Sequence, residues 1–139
     1  MTDGLILIVN AMKPYDYISL FIASDAHVYR GVGAALKDIH QQEAYADIEE
    51  ASAAIQEEVN KRVGLYSLHQ FHRRGTEKHI GNVSYYYIFD VGGGLWVNGP
   101  SNRRRGDDSY SRFLLHIMGC CAVIEQDAMN AGFVRLDDA

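Results

Sequence analysis

Residues 66–99, YSLHQFHRRGTEKHIGNVSYYYIFDVGGGLWVNG, are where the chain commits to a sheet. Aromatic and β-branched residues recur there with period two, the spacing of a strand with two unlike faces. The stretch reads as a three-stranded antiparallel meander. A turn at Gly75-Thr76 would set Arg74 opposite Glu77 and His72 opposite His79. The glycines at 92–94 would close a second hairpin with Phe89 opposite Val97. One face then carries Tyr66, Leu68, Val83, Tyr85, Tyr87, Phe89, Val91, Leu95 and Val97, which is the core side. The other carries His69, Phe71, Arg73, Tyr86, Ile88, Asp90 and Trp96. That second face is either an open aromatic patch for a partner or is covered by the N-terminal helices in a three-layer arrangement, the expectation preferred here.

Upstream, Leu5–Val9 is an unbroken apolar run, the pattern of a strand covered on both sides. PYDYISLFIASD, residues 14–25, reads as a short helix opened by Pro14, with Ile18, Phe21 and Ile22 inward. Residues 34–63 are helical in composition, but one helix of that length would span ~45 Å and outgrow the domain. The apolar spacing changes near Gln41-Gln42, which predicts helices over 34–41 and 43–63. In the second, Tyr45, Ile48, Ser52, Ile55 and Val59 form the inner face, and Gly64 supplies a C-cap. Downstream, Asp108 or Ser109 N-caps a last helix with the stripe Phe113, Ile117, Cys120, Ile124 and Ala128. Gly132 stops it, and FVRL (133–136) returns as an edge strand. The expected fold is α+β. An antiparallel sheet of four to five strands, the 66–99 meander plus the N-terminal strand, packs with N-terminal helices and a C-terminal helix in one domain spanning 1–139.

The chain has 139 residues, is 47% hydrophobic and carries a net charge of −5. A domain of that size buries roughly 65–70% of its unfolded surface and needs no metal or disulfide staple. Its negative charge argues against a general nucleic-acid binder. Cys120 and Cys121 are neighbours and read as free thiols in a reducing compartment. The N-terminal apolar run is too short for a membrane span and has no basic leader. The expected location is the cytoplasm, with no membrane partner.

Function is approached through charge. Residues 38–62 hold seven acidic side chains before their first lysine or arginine. On a helix, Glu43, Asp47, Glu50, Glu57 and Glu58 fall opposite the apolar face. The plain reading is a solvated, solubilising surface. The sharper one is a row of carboxylates that docks in the basic, nucleic-acid-binding groove of a protein partner. The chain would then be a small non-enzymatic inhibitor or adaptor. Antagonists of nucleic-acid-handling complexes, such as anti-CRISPR and other anti-defence proteins of phages and plasmids, suit that physics. The same surface would serve a homodimer.

An alternative uses the opposite pole. From Lys61 to Arg105 there are eight basic and two acidic residues. Arg73, Arg74, Arg103, Arg104 and Arg105 with Trp96 would form a platform for single-stranded nucleic acid. A second alternative is a small enzyme with a dispersed His/Tyr site, to be recognised by a deep pocket of titratable groups with opposed pKa shifts. No residues are singled out as catalytic and no cofactor is expected. His69 and His72 point to opposite faces of a strand, and no third ligand completes a metal site. Cys120 lies one helical turn after His116, away from a helix N-terminus where a thiolate would be favoured.

Overall fold

Leu5–Val9 has no polar position to turn towards solvent, and it becomes the buried centre of the sheet. In a computed structural model of the chain, which describes residues 3–23, 31–42, 44–63, 68–72 and 76–137, strand β1 spans Gly4–Val9 and every residue in it is buried. The described residues form β2 (Ile18–Ile22), α1 (Val32–Gln42), α2 (Ile48–Val63), β3 (Leu68–His72), β4 (Tyr85–Asp90), β5 (Leu95–Asn98), α3 (Ser109–Cys120), α4 (Glu125–Asn130) and β6 (Val134–Arg135). The fold is α+β, as expected. The sheet order is β3-β2-β1-β4-β5-β6. The sheet is mostly antiparallel, but β1 and β4 run parallel, with Gly4 beside Tyr85 and Val9 beside Asp90.

That one parallel pair overturns the meander. β3 does not pair with β4; it lies at the far edge, antiparallel to β2. The chain must therefore cross back over β2 and β1 before β4 begins. Glu77–His79, expected to start a returning strand, forms a 3-10 turn. The buried hydroxyls of Ser19 and Thr76 hydrogen-bond at 2.6 Å, and the rings of Phe21 and His79 stack 4.2 Å apart. The crossing segment thus covers β2, and Val83 and Ile80 join the same apolar cluster as Tyr17. His72 faces Ile18 across the ladder, not His79.

The second correction is β2. Ile18, Phe21 and Ile22 fit a helical stripe, but ISLFI also alternates. Short apolar runs are ambiguous between the two periods. Pairing with β1 decides it: Leu5 faces Phe21 and Ile8 faces Ile18. Ile18, Leu20 and Ile22 then join one core, while Phe21 packs against the other.

The β4–β5 hairpin forms, shifted by two residues: Phe89 faces Leu95, and Tyr87 faces Val97. A shift of two keeps each side chain on its face. Tyr87, Phe89, Leu95 and Val97 accordingly pack beneath α1 and α2. The other face is covered too, but by the C-terminal helices. Tyr86, Ile88 and Trp96 pack with Phe113, Leu114 and Ile117 of α3 and Ala128 of α4. The three-layer arrangement stands with its covering element corrected.

The first helix fits its expected bounds within two residues, but α2 begins at Ile48 and not at 43, so Tyr45 and Asp47 precede it. α1 ends at Gln42, at the expected break. Gly64 and Tyr66 lie outside the described residues. The C-terminal helix is two helices: Cys121 takes a left-handed conformation (φ 54°) and ends α3 by donating its N–H to Ile117. Ile124, expected inside, is consequently 59% exposed. The short β6 pairs with β5 where FVRL was expected to return.

Candidate functional site

Helix α2 places the acidic residues, and it uses several of them locally. Asp47 precedes the first turn and its Oδ1 accepts the N–H of Glu50 at 2.8 Å. Glu50 Oε2 in turn accepts the N–H of Ala46 at 3.2 Å. This is a reciprocal cap, and carboxylates at that end also complement the helix dipole. At the other end, Glu58 pairs with Arg62 at 3.1 Å, and Arg62 also binds Asp38 of α1. Glu57 lies 3.7 Å from Lys61, both well exposed, a geometry worth little in water. Glu43 lies outside the described residues. The expected row is therefore divided: Asp47 and Glu50 cap, Glu58 pairs with Arg62 within α2, and Glu57 stays on the outer side. Glu49, which the sequence reading did not single out, is exposed beside them. Its signal was available: with Glu50 it makes an acidic first turn immediately after a capping aspartate.

The basic pole is divided more sharply. Arg103 is an internal bolt. Its Nε donates to Asn98 Oδ1 at 2.8 Å, its Nη2 to the carbonyl of Ser84, and its guanidinium lies over the rings of Tyr86 and Tyr110. Trp96 is 3% exposed and has no ring face to offer a base; Arg135 sits over it at 5.3 Å. Arg104 and Arg105 are exposed in the loop before α3, and Arg73 and Arg74 lie outside the described residues. Among the described residues, Arg103 and Trp96 are engaged within the fold and only Arg104 and Arg105 of this set are exposed.

For dispersed catalysis the side chains are largely occupied. Burial pushes the phenols of Tyr17, Tyr86 and Tyr87 above their ordinary value, so they remain protonated. Cys120 Sγ is 3.6 Å from His116 Nε2 at the C-terminal end of α3, and it also lies 3.5 Å from the Ala122 carbonyl. Among the described residues, no three His, Cys, Asp or Glu side chains gather to hold a metal ion, and no helix is long and apolar enough to cross a membrane.

A groove opens where α1 ends above the β4–β5 turn. It holds about 340 Å³ and is lined by His40, Gln41, Tyr45, Phe89, Asp90 and Gly93 among others, near the lower end of small-ligand sites. The His40 Nε2–H donates to the Gly93 carbonyl at 2.8 Å, and its Nδ1 is 3.8 Å from Asp137. Asp137 is already held by Arg135 at 2.7 and 2.9 Å. Burial pushes its carboxyl up, but those bonds and the Leu95 N–H outweigh burial and leave it below the ordinary value. Asp90 has the opposite character. Its carboxyl has no hydrogen-bond partner among the described residues, and burial alone pushes it up to about 6. It lies against the turn so closely that a Cβ on Gly93 would come within 2.3 Å of Oδ2. The sequence signal for Asp90 was one acid ending the strand YYYIFD; the groove around it comes from α1, which sequence spacing does not place there. Comparison with protein-family models, with curated proteins and with solved structures finds no match.

Proposed function

We propose that the protein is a small non-enzymatic inhibitor or adaptor that binds a protein partner through the outer side of α2, occupying a basic surface on which the partner holds nucleic acid. The observation that carries this reading is the charge of the segment from Asp47 to Glu57. It has four carboxylates and no cation, and Glu49, Glu50 and Glu57 are exposed. The capping bonds of Asp47 and Glu50 fix the positions of two of these carboxylates, which lowers the ordering cost of binding. Cations of α2 are confined to its last turn, so the acidic surface is centred on its first three turns. Anti-defence proteins of phages and plasmids, anti-CRISPR proteins among them, are the class in which this mode of action belongs.

Such a complex should be steered by charge and weaken with salt. The test is capture from nuclease-treated host lysate with wild type and the double variant Glu49→Gln/Glu57→Gln, neither residue being needed for the cap. The reading requires that the captured protein itself binds nucleic acid, that an oligonucleotide displaces it, and that the double variant loses it at low salt. Capture that is indifferent to the variant, to salt and to the oligonucleotide would refute the reading. A second copy of the chain as the only bound species would replace it with a homodimer.

A further inference from the structure

The groove beside Asp90 is next to that acidic surface: Ala44 and Tyr45, which line it, lead directly into the Asp47 cap. Its chemistry is asymmetric. Among its described lining residues, Asp90 is the one acid, and there is no lysine or arginine. The neighbouring carboxylate, Asp137, is already neutralised by Arg135 in a two-point contact. Phe89 is 1% exposed and closes the floor, so the ring that borders the opening is half-buried Tyr45, 6.1 Å from Phe89 and tilted by 60° to it. A carboxylate beside aromatic surface is the pairing that recognises a planar organic cation, through charge-assisted hydrogen bonds and cation–π contact.

We propose that this groove receives one arginine side chain of the partner, with Asp90 as its counter-ion and the ring of Tyr45 bordering its guanidinium. Arginine suits the groove better than lysine because its flat, weakly hydrated head can stack and hydrogen-bond together. The occupant's identity as a partner's side chain rests on the function proposed above; the groove's preference for a guanidinium rests on its own walls. Bound arginine would give Asp90 the partner it lacks among the described residues and anchor the basic surface next to α2, a buried charged anchor of the kind that dominates interface energies.

The probe is Nα-acetyl-arginine amide, titrated into the full chain and followed by amide NMR, with the uncharged citrulline counterpart and the lysine counterpart in parallel. Saturable shifts centred on Gly92 and Gly93 are expected with the arginine probe. Asp90→Asn should weaken binding about tenfold or more, the scale of one lost charge-assisted contact. The citrulline probe should not saturate, and lysine should bind more weakly than arginine. Equal binding of arginine and citrulline, undiminished binding by Asp90→Asn, or no saturable shift at the turn would overturn the inference. If Asp90→Asn does not give a folded spectrum, Asp90→Ser takes its place. Failure here, with partner capture still lost in Glu49→Gln/Glu57→Gln, would end the arginine anchor and leave the acidic surface standing. Arginine binding at the turn, with capture indifferent to the α2 variant, would do the reverse.

Discussion

Replacing Asp90 by asparagine should stabilise the protein at neutral pH and leave it nearly unchanged in acid. Burial raises the Asp90 carboxyl from 3.8 to about 6, so the folded chain holds this proton more tightly than the unfolded chain does. Well below pH 3.8 the group is protonated in both states and costs nothing. As pH rises towards 6 the unfolded chain ionises first, and the folded state is increasingly penalised. Above about 6 the penalty is complete and constant. At ~1.4 kcal/mol per tenfold, the full rise corresponds to roughly 3 kcal/mol. The carboxyl sits at a partly solvated rim, so screening reduces the expected gain to about 1–2 kcal/mol. Asparagine matches the shape of the protonated acid and carries no charge. Urea denaturation of both proteins at pH 3 and pH 7.5 gives the number, and every other titrating group cancels in the difference. A gain that is the same at both pH values, or a loss at pH 7.5, would show that Asp90 is not a desolvated, unpartnered carboxylate. A residue that lowers stability in the free protein and has its role in the complex is a familiar trade between stability and function.

Arg103→Ala should cost about 2 kcal/mol or more in urea denaturation, because it leaves Asn98 and the Ser84 carbonyl without their donor, whereas Arg104→Ala and Arg105→Ala should stay within about 0.5 kcal/mol; equal effects at all three would remove the distinction drawn between bolt and surface. Asp47→Ala should lose about 1 kcal/mol through the cap, against little change for Glu49→Gln; the same assay decides it, and a neutral Asp47→Ala would mean that the cap does not hold α2.

The outer half of the candidate site was legible in the sequence, since a run of acids opposite an apolar stripe needs only helical periodicity to become a surface. Its internal division was not. Whether Arg62 also reaches Asp38 depends on two helices meeting, and whether Trp96 is a platform depends on what covers it. Both are long-range facts that spacing along one element does not encode. Arg103 shows the same limit: turn chemistry put it in a polar loop, but its stem folds back over Tyr86 and Tyr110.

By itself the sequence determined the two-sided burial of β1, the two helices with a break near Gln42, the face assignment of β4 and β5 and the return of the C-terminal strand. Each follows from a local period or from a break in one. Tertiary structure alone decided that ISLFI is a strand, that β3 leaves the meander for the β2 edge, and that α3 and α4, not the N-terminal helices, close the second face. The reason is that β1 needs a neighbour on each side. β2 and β4 supply them, and filling the parallel place beside β1 forces the chain from β3 to cross the sheet, a requirement that belongs to the assembled sheet and to no single segment of it.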